Sequence, residues 1–310
     1  MIRQIQHLQA CFEAEFERNC TTGIPRAAHR RTLDTSVWWC GTETLKITTK
    51  VLERQSGMVH CALMAGRRVA VITGGTRGIG KAVSLAAARD SQRVYAIYAR
   101  NWQAADAFSE ETRKEGLDVR CIRADLTKDE DFSRCVNTVR SEAGRIDVIV
   151  HSAVSGVHRP VTDLTERHIA WTFNINFLAI HRLLREFVPL MPAGGRIIGL
   201  TSAGANRSVP RYAAVGASKG ALESLFRYYA AELAPRGISV NLVCPGLVLT
   251  DTIAALPQRE ALEQAALART PSGRLTTPED VAQVILFLCS EAASQIVGQT
   301  IVVDGGFGLS

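Results

Sequence analysis

Thr73-Gly74-Gly75-Thr76-Arg77-Gly78-Ile79-Gly80 decides the fold of this chain. The stretch follows a short apolar run, residues 68–72, and leads into a helical pattern over 81–89. Its glycines at 74, 78 and 80 form GxxxGxG. A tight turn needs φ > 0, a bound phosphate needs backbone close by, and the helix must pack against its strand. Each demand suits a residue without Cβ. The start of the helix then directs free N–H groups at an anion. Glycine turns also occur in ordinary loops. Between a strand and a helix, at the start of a βαβ unit, this one reads as a dinucleotide cradle built from Gly74, Thr76, Arg77, Gly78, Ile79 and Gly80.

Outward from the turn, the pattern alternates. Strand-like runs lie at 68–72, 93–99, 119–123, 146–150, 196–200, 239–243 and 300–303. Helical periodicity fills 81–89, 104–115, 129–142, 166–187, 212–233 and 278–289. Strands of near-continuous Val and Ile, each followed by a helix, form parallel sheets covered on both faces. The expectation is a single doubly wound α/β domain of Rossmann type over 67–310, with a seven-stranded parallel sheet. Residues 1–66 read as an N-terminal extension. Residues 2–18 can form an amphipathic helix through Ile5, Leu8, Phe12 and Phe16, and 21–35 are polar and basic. The extension lacks the apolar core of a secretory signal, and Glu13, Glu15 and Glu17 argue against a transit peptide. Three readings stand: a partly ordered extension, a true start at Met58 or Met64, or a functional module.

The 310 residues, 33.7 kDa, are 46% hydrophobic and 21% charged, values of an ordinary globular protein that exclude wholesale disorder and fibrous repeats. No apolar run approaches the roughly 20 residues of a spanning helix. The eight cysteines include no CxxC and no zinc-type Cys/His spacing. They read as reduced thiols, mostly in the core, in a cytoplasmic setting. The net charge of +6 is spread along the chain and gives no nucleic-acid signature. No GxSxG hydrolase motif with partners is present.

An NAD site ordinarily ends its second strand with a carboxylate for the ribose 2′-hydroxyl. Here that strand ends Tyr98-Ala99-Arg100-Asn101. Arg100 with Arg77 suits a 2′-phosphate through charge-assisted hydrogen bonds, which favours NADPH. The alternative is that Arg100 is a solvated strand end. After the third strand, Asp125-Leu126 offers an acceptor to an adenine amino group, or a cap to the following helix.

Taken together, these residues resemble the short-chain dehydrogenase/reductase family. The matching segments are the glycine turn, Asp125, Asn176, Ser202, a Tyr/Lys pair, Pro245-Gly246 with Thr250, and Val303-Asp304-Gly305-Gly306. Most members carry Tyr-x3-Lys. Here Val215 stands four residues before Lys219, and the tyrosine is Tyr212, giving Tyr-x6-Lys. On a helix, Tyr212 keeps the same face but lies about 4.5 Å further along the axis, three residues at ~1.5 Å each. A ketone takes hydride on the carbon bonded to the oxygen that tyrosine serves. An enoyl thioester takes hydride on Cβ, two carbons beyond its carbonyl carbon, so a displaced donor suits an alkene.

Tyr-x6-Lys is similar to the NADPH-dependent type III enoyl-[acyl-carrier-protein] reductases. Ser155-Gly156-Val157, Arg159-Pro160-Val161, Asn174-Ile175-Asn176 and Thr270-Pro271 with Gly273-Arg274 add to the likeness. The resemblance implies that Tyr212 stabilises an oxyanion and that Lys219 binds the nicotinamide ribose and promotes the phenol by its charge. It implies that Asn176 orients Lys219, and that Thr250, with Ala153, Pro245, Gly246 and Val248, contacts the cofactor. Ser202 is a substrate-binding serine or a strand-end cap. The resemblance also implies a homo-oligomer, tetramer or dimer, in fatty acid or lipid metabolism. The substrate would be an acyl thioester on acyl carrier protein or coenzyme A, covered by residues 249–274, among them Leu256 and Pro257 and a helical stretch at 260–268. Arg182, Arg185, Arg207, Arg211 and Arg227 would face an acidic carrier, a coenzyme A phosphate or another subunit. One departure is plain: His151-Ser152-Ala153-Val154 replaces the usual Asn-Asn-Ala-Gly, and His151 reads as a structural strand-end group. Two other functions stand beside the enoyl reductase: a 3-oxoacyl or other carbonyl reductase, and a weakly catalytic cofactor-binding protein.

Overall fold

Strand-forming residues alternate with helix formers along the chain, and the computed structural model describes residues 30–32, 35–40, 43–46, 67–249 and 259–309. The chain divides into two units, Met1–Gly66 and Arg67–Ser310. In the first unit, β1 (Arg30–Thr32), β2 (Thr35–Cys40) and β3 (Glu43–Lys46) form an antiparallel sheet in sequence order, with Trp38 opposite Leu45. β1 lies within the polar and basic stretch 21–35. The helix expected over 2–18 falls outside the described residues.

The second unit carries a seven-stranded parallel sheet in the order β10-β9-β8-β7-β4-β5-β6. The strands are β4 (Val69–Thr73), β5 (Arg93–Tyr98), β6 (Val119–Arg123), β7 (Val148–His151), β8 (Arg196–Leu200), β9 (Ser239–Pro245) and β10 (Thr300–Val303). Successive residues of β4 face opposite sides, and each side has its own core. Val69 and Val71 join Leu183, Phe187 and Phe226 on one face. Ala70 and Ile72 join Val83, Ala87, Val281 and Ile285 on the other. Burial on both faces explains the unbroken apolar strands.

The covering helices are α1 (Gly78–Arg89), α2 (Trp102–Lys114), α3 (Asp129–Ala143), α4 (Glu166–Phe173), α5 (Ala179–Phe187), α6 (Ala213–Leu233), α7 (Arg259–Ala268) and α8 (Pro278–Cys289). The ends follow local chemistry. Thr277 and Asp280 form a capping box ahead of α8, and Gly144 closes α3 at φ 69°. None of the described helices is long and apolar enough to cross a membrane. Cys121, Cys135, Cys244 and Cys289 are free thiols.

Two departures from expectation shape the site. β7 starts two residues later than its apolar run suggests, so His151 becomes the strand's last residue, paired with Thr73. The stretch 166–187 is not one α-helix: Asn174–Leu178 is a π turn, in which Ala179 N–H bonds Asn174 O five residues back. Apolar periodicity does not register a single inserted residue. The strand order reverses between β4 and β7, and in open α/β sheets ligands bind beyond the carboxyl ends of the strands at that point.

Candidate active site

At this reversal the glycine turn is locked by backbone contacts. Gly74 N–H bonds Ile97 O at 2.8 Å. Gly74 has φ +69°, and a Cβ there would lie 2.9 Å from Ala153 N; a Cβ on Gly80 would lie 2.1 Å from Gly74 O. Gly78 has φ 52°. A side chain at position 74 or 80 would run into backbone. Thr76 is buried beneath the turn, and Arg77 and Gly78 bring α1 in behind it. Arg77, the residue before α1, is extended and supplies no side-chain cap. The N–H groups of the first turn, with Ile79 and Gly80 among them, therefore face an anion site. The cradle fits a dinucleotide pyrophosphate.

Around it, Arg77 and Arg100 are exposed. Asn101 turns its Oδ1 to Ala104 N–H at 3.0 Å and caps α2, so that oxygen belongs to the helix. Asp125 Oδ1 accepts from Thr127 N–H at 3.1 Å and from its hydroxyl at 2.7 Å. It closes a turn rather than capping α3, whose cap position is Lys128. Leu126 is buried beside it. On the other side, Gly246 N–H bonds Val303 O at 2.9 Å, and a Cβ on Gly246 would lie 2.9 Å from Asp304 Cα. Pro245 ends β9 and Val248 is buried. Thr250, Leu256 and Pro257 lie outside the described residues.

The residues expected at the reaction centre lie at the end of β8, in the loop after β7 and on α6. Tyr212 is not on the helix, as its spacing suggests, but is the residue that starts it, with φ −112° and ψ 7°. Arg211 before it is held at φ 60°, an uncommon conformation for a residue with a long side chain. The Tyr212 ring packs against Gly204, where a Cβ would come within 2.6 Å of Cδ1. His158 is the neighbouring ring, centroids 5.5 Å apart. Burial pushes the phenol pKa up, and the Ser202 hydroxyl beside it acts in the opposite sense. Tyr212 and Ser202 thus bring two hydroxyls to one place. The usual tyrosine position is filled by Val215, whose Cγ2 lies 2.1 Å from where a Cβ on Gly156 would be. That methyl and the bare glycine close the space together.

Lys219 is buried and donates from Nζ to Leu200 O at 2.7 Å. Desolvation pulls its pKa down to about 8. The tyrosine stands seven residues before the lysine, at the start of the helix that carries it. Asn176, in the π turn, accepts from Ser155 N–H at 3.0 Å and donates to Ser218 Oγ at 2.9 Å. It joins the loop after β7 to the lysine helix.

Comparisons with known proteins show the family. A family model described as Enoyl-(Acyl carrier protein) reductase matches residues 74–308. The chain belongs to the short-chain dehydrogenase/reductase family. It is 35% identical over 245 residues to the 1-cyclohexenylcarbonyl-CoA reductase of Streptomyces collinus, covering 78% of this chain and 88% of that protein. It is 31% identical over 251 residues to the tetrahydroxynaphthalene reductase of Pyricularia oryzae, covering 77% and 89%. Among solved structures, a variant of the actinorhodin polyketide ketoreductase with NADPH aligns at TM-score 0.71 with 26% identity, over 79% of this chain and 98% of that one.

As a short-chain dehydrogenase/reductase, the chain is an oxidoreductase, and its site has parts that motif reading passed over. Glu223 is buried one turn beyond Lys219. It accepts from Thr201 Oγ1 at 2.7 Å and from Asn206 Nδ2 at 3.2 Å, bracketing the turn that carries Ser202 and Gly204. A carboxylate four residues after the lysine, on a helix face otherwise apolar, was the available signal. Two of the arginines expected at a carrier are engaged within the chain: Arg182 pairs with Asp129 at 2.7 Å over the Phe132 ring, and Arg207 donates to Gly308 O.

Proposed function

We propose that this chain is an NADPH-dependent reductase of conjugated thioesters, reducing the trans-2 double bond of an enoyl group on coenzyme A or acyl carrier protein. The observation that carries the reading is the place of Tyr212: its phenol stands at the start of α6 beside Ser202, while Val215 packed on Gly156 closes the position nearer Lys219. The substrate named for the Streptomyces collinus relative, a 1-cyclohexenylcarbonyl thioester, likewise has its alkene conjugated to the carbonyl.

The chemistry a bound nicotinamide supplies is a hydride, here to Cβ of the alkene. As Cβ gains it, negative charge moves to the thioester oxygen. Tyr212, a phenol whose pKa burial raises above the ordinary value, donates to that oxygen and stabilises the enolate. Ser202 holds the phenol and offers a second donor. Protonation of Cα completes the saturated thioester. Lys219 would bind the ribose hydroxyls, and Arg77 and Arg100 would hold the 2′-phosphate. The protein would work in the cytoplasm as a homo-oligomer.

Carbonyl reduction is the second reading. It is favoured by the Ser202–Tyr212 pair, two donors for one oxygen, and by relatives named as naphthalene reductases. NADPH absorbance with crotonyl thioester and with acetoacetyl thioester separates the two. The first reading expects oxidation with crotonyl thioester; oxidation with acetoacetyl thioester alone rejects it.

A further inference from the structure

Tyr212, Gly216, Gly220 and Glu223 follow one another along α6 at spacings of four, four and three, which places them on one face. All of them meet the short 3₁₀ turn that follows β8, Ala203–Ala205, or its flanks. The Tyr212 ring packs on Gly204. A Cβ on Gly216 would lie 2.5 Å from Gly204 O, and one on Gly220 would lie 3.5 Å from Ala205 O. The glycines let the turn approach the helix but give it no directional bond. Glu223 gives it two. Its Oε1 accepts from Thr201 Oγ1 at 2.7 Å and its Oε2 from Asn206 Nδ2 at 3.2 Å. The two donors stand on either side of the turn, so a single carboxylate spans it. Glu223 is 6% exposed, and its helix neighbours Leu222 and Phe226 belong to the apolar core. A carboxylate buried there is costly unless its oxygens are bonded, and both are. Within the bracket, Ser202 Oγ accepts from Gly204 N–H at 3.3 Å, and Ala205 N–H bonds Ser202 O at 2.9 Å. The serine and the floor under the phenol ring therefore share one small turn, gripped at both ends.

We infer that Glu223 is a positioning residue: its carboxylate clamps the 201–206 segment at both ends and so holds Gly204 as the seat of the Tyr212 ring. The bonds of the side chain do this, not its bulk. Leucine is close in size and would fill the place while accepting nothing. Glutamine keeps an oxygen for Thr201 and can donate from Nε2 to Asn206 Oδ1 once that amide turns over. Asn206 is exposed, so Asn206→Ala opens one arm of the clamp and leaves the core filled.

The part concerning turnover rests on the proposal that Tyr212 serves the reduction; the part concerning the turn does not. The test is NMR of the full-length protein, reading hydrogen exchange at the 205–207 amides and the ring signal of Tyr212, assigned through Tyr212→Phe. Those amides bond Ser202 O and Ala203 O. In Glu223→Leu they should exchange about tenfold faster and the Tyr212 signal should move, while the Leu222 and Phe226 amides keep wild-type exchange. Glu223→Gln should leave all of these as they are. If Glu223→Leu also frees the Leu222 and Phe226 amides, the fold itself has loosened and Asn206→Ala decides, with exchange at 205–207 about threefold faster and a moved Tyr212 signal. Unchanged exchange at the turn or an unmoved Tyr212 signal, in a folded Glu223→Leu or in Asn206→Ala, overturns the inference. So does a Glu223→Gln protein that exchanges like Glu223→Leu. With an active thioester, Glu223→Leu should lower kcat about tenfold at unchanged KM for NADPH, and Glu223→Gln should keep it near wild type. Equal kcat in all three proteins, or an equal fall in both variants, overturns the positioning role. A protein that reduces neither thioester refutes the proposed function, while exchange and the ring signal still decide the role of Glu223.

Discussion

Replacing Lys219 with methionine should abolish reduction and make the folded protein more stable. Lys219 is buried, and desolvation lowers its pKa from 10.5 to about 8. At about 1.4 kcal/mol for each tenfold change, the folded state carries a penalty of about 3 kcal/mol for keeping the cation at neutral pH. Methionine has a similar length and no charge. It leaves the Leu200 carbonyl without the 2.7 Å donor, a loss of about 1 kcal/mol. The net expectation at pH 7 is a gain of about 2 kcal/mol. The sign of the pH dependence follows from proton counting. Between pH 8 and 10.5 the unfolded lysine is still protonated while the folded one is not, so wild-type stability rises with pH. The penalty is present in full below pH 8 and is gone above 10.5. Urea denaturation of both proteins at equal concentration, at pH 7 and at pH 10.5, measures this directly. The advantage of the variant should shrink to zero or reverse at the higher pH. A variant less stable than wild type at pH 7, or an advantage that does not change with pH, refutes the reasoning.

Other outcomes follow from the same geometry. Tyr212→Phe should lower kcat about 100–1,000-fold, the usual effect of removing one oxyanion donor, with NADPH affinity retained in a fluorescence titration. Because the charge of Lys219 is lost as pH rises through about 8, kcat/KM should be level below that value and fall above it in a pH profile. Arg100→Glu should weaken NADPH about 10–100-fold, by removing a charge-assisted hydrogen bond of about 1.5–3 kcal/mol, and leave NADH almost unchanged in steady-state kinetics. Gly156→Ala places a methyl 2.1 Å from Val215 Cγ2, and should cost about 1–3 kcal/mol in thermal or urea unfolding.

The sheet was legible because its signal is local and repeated. Strands at 119–123, 196–200 and 300–303 run as their apolar patterns suggest, and GxxxGxG marks the crossover of β4 into α1. The site was legible only where residue type dictates chemistry. Ser202 lies beside Tyr212, and Asn176 bonds Ser218 next to Lys219, but these couplings are not written in spacing. Nothing in the order of residues says that Lys219 bonds the Leu200 carbonyl. The π turn at Asn174–Leu178 hides in a helical pattern because one inserted residue hardly disturbs apolar periodicity. Glu223 escaped notice because its role depends on Thr201 and Asn206, which come from another strand and turn. Asn101 and Asp125 show the reverse: short polar side chains expected at a ligand that also make local bonds with neighbours two or three residues on.

The central claim is that the displaced Tyr212 serves a carbonyl whose neighbouring alkene, not its own carbon, receives the hydride. The most direct measurement is the position of label in the product after turnover with NADPH deuterated on the transferred face of C4 and a crotonyl thioester. The account predicts a saturated butyryl thioester carrying deuterium at C3. No label in any saturated product, together with deuterium on the carbinol carbon of a hydroxyacyl thioester formed from the 3-oxo substrate, would contradict it.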